Sequence, residues 1–187
     1  MHAAPPVLDL LQDHHNPLPM LPLRLLHETP DLTVAGYGPL CLGRWRVVPD
    51  SEAMRALRDA MDAWATQSAP FVAINIIDFR ALTDVSSDVR AEIARVQEHF
   101  SGRQIGLATV IVERGFYAAA VRAVAGAVQA ISRAPFPQRV FADVPLAAQW
   151  ARTLAPHDAR FSLADDDVVA ACDLLAAPQA RPVARFG

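Results

Sequence analysis

Four side chains near the middle of the chain are of types that could do chemistry together. Asp78 and Asp84 supply two carboxylates, and Ser86 and Ser87 two hydroxyls, around the end of an apolar run from Phe71 to Phe79. Paired carboxylates can act as general acid and base, and a serine beside them can be a nucleophile or a phosphoacceptor. The surroundings point away from catalysis. A serine hydrolase needs an exposed nucleophile on a Gly-x-Ser-x-Gly elbow with a His and an acid to match, and no such elbow occurs. His27, His99 and His157 stand without a partner motif, and His99, near a helix end, suits the helix dipole. Ser86 or Ser87 also sits where a helix should start, and capping that helix is a sufficient role for it.

The other chemical candidates reduce to structure. Gly36-Tyr37-Gly38 is too short for a dinucleotide fingerprint and opens no helix, so it reads as a turn. His14 and His15 are adjacent and lack a third ligand at helical or hairpin spacing. Asp165, Asp166 and Asp167 form the one acidic run, at the positive end of a helix. All 17 basic residues are arginine. The absence of lysine removes Schiff-base chemistry and lysine-dependent phosphate binding. The expectation is a protein with no catalytic residues, no metal and no cofactor.

The elements that position these residues follow from composition and pattern. With 187 residues, 52% hydrophobic and 20% charged, the chain can bury one core without a metal or disulfide staple. A net charge of −3 gives no reason to expect nucleic acid or an anionic membrane. Cys41 and Cys172 each lie among apolar neighbours and read as free buried thiols. No stretch is long and apolar enough to span a bilayer and no secretory leader is visible, so a cytoplasmic location is expected.

Residues 1–30, punctuated by six prolines, read as a tail. Strands are expected at Leu32 to Ala35 and Leu40 to Val48, with a bulge at Gly43, then at Phe71 to Phe79, Ile105 to Val112 and Arg139 to Ala142. Met54, Leu57, Met61 and Trp64 fall on one helical face, as do Val89, Ile93, Val96 and Phe100. Phe116 to Ser132 reads as a third helix. A fourth, capped by Asp143, carries Leu146, Trp150 and Leu154. A last helix from about Asp165 to Leu175 buries Val168, Val169, Cys172 and Leu175. Strands alternating with helices imply an α/β domain over residues 31–155 with a mostly parallel sheet of four to five strands. A helical extension at 156–178 and a tail at 179–187 complete it.

The junction Asn75 to Ser87, the strand Ile105 to Val112 and the closing Arg139 to Asp143 with Trp150 beyond resemble the STAS-type fold of anti-sigma-factor antagonists. The likeness is closer to divergent bacterial STAS-like proteins. In switching members an Asp ends the central strand and a phosphorylatable Ser opens the next helix, followed by Gly. The resemblance implies that Asp78 and Asp84 match the acidic positions and Ser86 or Ser87 the phosphoacceptor. Asp88 stands where that Gly is expected, and the spacing from Asp78 is about one residue short.

The Phe116 to Ser132 stretch is apolar almost all round, and a helix of that kind must be covered on every side. Phe116, Tyr117, Val121, Val124 and Val128 are therefore candidate interface residues. The expected function is a STAS-like regulatory or scaffold module that binds a protein partner or itself. The alternative is a binder or carrier of lipid or a small hydrophobic ligand, because CRAL-TRIO domains resemble the same fold and enclose lipid.

Overall fold

A computed structural model of the protein describes residues 22–78, 86–112, 134–155 and 157–176. Its centre is the run Phe71–Ile77 (β4), whose apolar and β-branched residues suit a strand covered on both faces. Parallel to it on one side lies Leu40–Trp45 (β3), and on the other Gln104–Ile111 (β5), followed by Gln138–Phe141 (β6). Leu32–Tyr37 (β2) pairs antiparallel with β3, and Arg24–Glu28 (β1) antiparallel with β2. The spatial order β1 to β6 is the order in sequence.

The sheet therefore differs from the expected one in two respects. It has six strands among the described residues instead of four to five, and it is mixed. The additional strand comes from residues read as tail. Pro22 and Pro30 bracket Arg24–Glu28 but leave its own backbone donors free, so it can pair along the outer edge of β2. His27 thereby lies in an edge strand.

Gly43 is not a bulge: the β2–β3 register runs unbroken from Leu32↔Trp45 to Tyr37↔Leu40. The glycine makes room for a neighbour, since a Cβ there would stand 2.6 Å from Asn75 Oδ1. The irregularity lies in β1, between Leu25 and His27. The turn between β2 and β3 is tighter than the expected Gly36-Tyr37-Gly38. Gly36 and Tyr37 still pair within β2, and the chain reverses at Gly38, whose φ of 55° is a left-handed conformation that glycine adopts without penalty.

Alternate residues of each strand feed two cores. On one face, Leu32, Val34, Cys41, Phe71, Ala73 and Ile111 pack against Ser51–Ser68 (α1) and Ser87–His99 (α2). Asp50 caps α1 by accepting the Ala53 N–H at 2.8 Å, and Met54, Leu57, Met61 and Trp64 are all buried, as their spacing implies. On the opposite face, Ala35, Leu42, Val72, Ile74 and Val110 pack against Val144–Leu154 (α3) and Asp165–Leu174 (α4). Asp143 caps α3 as expected. Leu146, expected on the apolar side of α3, is 48% exposed, whereas Ala147, Ala148, Trp150 and Ala151 carry the contact. Helix α4 shares its core with the sheet, so residues 165–175 form part of the second layer.

Candidate functional site

In α/β proteins ligands favour the edge at the carboxyl ends of the parallel strands. Here that edge carries Arg44 and Arg46 from β3 and its exit, and Asp78 at the exit of β4. Arg44 and Asp78 lie on the same side of the sheet as Leu42 and Ile76, the side covered by α3 and α4. Arg44 Nε donates to Asp78 Oδ2 at 2.6 Å, with the two side chains 14% and 25% exposed. A charge-assisted bond of this length is shorter than a neutral one, although Asp78 as a whole residue is solvent-exposed. The same guanidinium donates through Nη1 to the Cys172 carbonyl at 3.4 Å.

Arg46 repeats the pattern one step further along the chain. It donates to Thr33 Oγ1 at 3.0 Å and to the Leu175 carbonyl at 2.6 Å. The last carbonyls of a helix lack intrahelical partners, and cations there complement the negative end of its dipole. Arg44 of β3 and Arg46 just beyond it thus reach the C-terminus of α4, more than 120 residues later in the chain, where the Cys172 carbonyl also accepts the Leu175 N–H at 3.2 Å.

Ser86 is the N-cap of α2, its Oγ accepting the Val89 N–H at 3.3 Å. Ser87 is the first helical residue, and both serines are exposed. Asp88 sits in the first turn, where a negative charge is favourable. Asp84 lies outside the described residues, so among the four central candidates the structure describes Asp78, Ser86 and Ser87. Phe116, Tyr117, Val121, Val124 and Val128 also lie outside them.

A second polar group joins α1 to α2. His99 Nε2 stands 2.8 Å from Asp62 Oδ2, and Arg103 Nη2 3.0 Å from Asp62 Oδ1. Arg103 also lies over the Phe100 ring at 4.9 Å. All three polar side chains are more than a third exposed, so the group is a surface network of modest energetic weight.

The cysteines are separate. Cys41 faces the α1–α2 layer and Cys172 the opposite core, and burial pushes each thiol up to about 12. Both are free and buried, as their apolar neighbours imply. Among the described residues no three His, Cys, Asp or Glu side chains converge as metal ligands. No described helix is long and apolar enough to cross a membrane.

The chain matches no protein-family model, no curated protein and no solved structure. What it can do is argued from its own residues. Sequence reasoning missed Arg44 and Arg46. One signal was available: a strand covered on both faces leaves no exit for a guanidinium, so each arginine needs a partner inside the fold.

Proposed function

We propose that the protein is a non-enzymatic regulatory or scaffold module of the STAS-like kind, acting through contact with a protein partner, which includes a second copy of itself. The observation that carries this reading is how the polar groups at the carboxyl edge are used. Arg44, Arg46 and Asp78 are bonded to one another, to Thr33 and to the carbonyls of α4. Groups spent in this way build a rigid surface and are not held ready for a substrate. The residues Phe116 to Val128 add a sequence-level reason, because their apolar surplus exceeds what a lone soluble domain exposes.

No observation favours the lipid-carrier alternative. A drug-sized or acyl ligand needs several hundred Å³ of enclosed space. Among the described residues the gap between the sheet and the α3–α4 layer, beside Leu40, Ala148 and Val168, holds about 10 Å³. The larger cleft of about 410 Å³ beside Gln149, Arg152, Asp158 and Phe161 is open to solvent and partly polar, unlike an enclosed acyl site.

Sedimentation of the full chain, with cross-linking in its native cells and mass spectrometry of captured protein and extracted lipid, tests the reading. Self-association or one stoichiometric protein partner, weakened by Val121→Asp, is the expected result. A monomer that captures lipid and no protein would replace it with the carrier reading.

A further inference from the structure

Asn75 is a polar residue in the middle of an apolar face. It stands between Ala73 and Ile77 on the side of β4 that meets α1 and α2, beside Gly43 of β3 in the register. Trp45 lies on the same side of β3 and is 3% exposed. From the place that a Cβ on Gly43 would take, Asn75 Oδ1 is 2.6 Å away and Trp45 Nε1 3.9 Å. The Asn75 amide and the Trp45 indole N–H make no hydrogen bond among the described residues. Buried polar groups without a partner cost free energy, and native proteins satisfy most of them with protein or bound water. Two such groups meet here over one glycine. Asn75 is only half-buried, so the space between them can be reached from solvent.

We propose that Gly43, Trp45 and Asn75 form a site for a small uncharged ligand, held through a primary carboxamide. The carbonyl oxygen of the ligand accepts from Trp45 Nε1, and its amide nitrogen donates to Asn75 Oδ1. Two adjacent polar atoms suit this geometry better than a hydroxyl, because a single atom over Gly43 that reaches Asn75 is still 3.9 Å from the indole. Neither β3 nor β4 turns a charge toward the site, since Arg44 lies on the opposite face with Leu42 and Ile76. An ionic group would therefore lose its hydration there without a counter-charge. Apolar walls come from Val34, Cys41, Ala73 and Ile77 on the same face. Trp45 ends β3 at the carboxyl edge, where α/β proteins favour ligands. Binding at this site requires no protein partner.

The tryptophans report occupancy directly. The full-length protein, isotopically labelled for NMR, gives one indole N–H signal for each of its three tryptophans, and Trp45→Phe identifies the signal of Trp45. Acetamide, acetate and methylammonium are titrated separately as neutral, anionic and cationic probes. A fragment this small binds weakly, with a dissociation constant on the order of millimolar.

The expected result is a saturable shift of the Trp45 signal with acetamide alone, while the signals of Trp64 and Trp150 stay in place. Gly43→Ala, which fills the space, should abolish the shift, and Asn75→Ala should weaken binding about tenfold. No saturable shift, with bound water in contact with the Trp45 N–H, would mean that the space holds water only and would overturn the site. Equal movement of all three indole signals would overturn it as well, because acetamide would then be acting on the whole protein. A stronger response to acetate would mean that Asn75 turns its nitrogen inward, and would overturn the uncharged class. A shift unchanged in Asn75→Ala would remove that residue from the site and overturn the proposal. Where Gly43→Ala fails to fold, the three probes on the unaltered protein and on Asn75→Ala decide the question.

Discussion

Gly36 of β2 lies against the indole of Trp64 in α1, so closely that a Cβ on it would stand 2.4 Å from Trp64 Cε3. Trp64 is 8% exposed, and its Nε1 has no hydrogen-bond partner among the described residues. Shape, not a polar contact, therefore fixes the ring. Gly36→Ala forces the indole or the strand to move, and overpacking of this kind typically destabilises by about 1–3 kcal/mol. Urea unfolding followed by tryptophan fluorescence should show the midpoint falling with an unchanged slope. An unchanged midpoint would mean that the layer yields freely at this point.

The two serines at the start of α2 should separate cleanly. Ser86 makes the capping bond and Ser87 does not. Ser86→Ala is expected to cost about 1 kcal/mol, and Ser86→Asp close to nothing, since Asp caps as well as Ser. Ser87→Ala, at an exposed first-turn position, should stay within about 0.5 kcal/mol. Thermal or urea denaturation of the three variants checks the ranking. Stoichiometric phosphate at either serine in protein from its native cells would give the junction a signalling role in addition to the cap.

How much of this was legible in the sequence depends on the range of the interaction. Helices α1 and α2 were readable because Met54, Leu57, Met61 and Trp64, then Val89 and Val96, repeat at helical spacing and are buried accordingly. The cap Asp143, and Ser86 as one of two candidate serines, were readable for the same local reason. Strand β1 was not, because a five-residue edge strand between prolines owes its existence to the neighbouring β2. Gly43 looked like a bulge because its partner Asn75 lies on another strand. The Arg44–Asp78 pair and the arginine contacts to α4 join residues 34 to 129 positions apart, and no periodicity encodes them.

Glu92 offers a test of what joins α1 to α2. Its side chain is 9% exposed, with Arg58 Nη1 of α1 at 3.6 Å and Arg95 of its own helix also paired to it. Arg95 is 70% exposed and Arg58 34%. Removing a partner of a buried carboxylate strands its charge, whereas an exposed ion pair is worth little. Arg58→Ala should therefore destabilise by about 1–3 kcal/mol and Arg95→Ala by less than about 1 kcal/mol. Glu92→Met, which removes the charge but keeps the bulk, should be close to neutral. If Arg95→Ala proves the more damaging, the helix pair is held by the local contact and not by the one between helices.

The Arg152–Asp165 pair makes stability depend on acid in a defined direction. The hydrogen bond from Arg152 holds the Asp165 carboxyl below the usual carboxylate range, and Gln149 assists, against an opposing effect of desolvation. A carboxyl whose pKa is depressed by folding contributes stability that is complete above its unfolded value, about 3.9, and is lost as pH falls through the folded value. Asp165→Asn removes that titration and leaves an oxygen able to accept from Arg152. The unaltered protein should therefore exceed Asp165→Asn by a constant margin between about pH 7 and pH 5, and the margin should shrink below about pH 4. Asp158, held down in the same sense by Arg160, is common to both proteins and cancels in the difference. Urea titrations at stepped pH measure the margin directly. A margin that grows on acidification would mean that the carboxyl is raised by folding, and the assignment of Arg152 as its stabilising partner would be wrong.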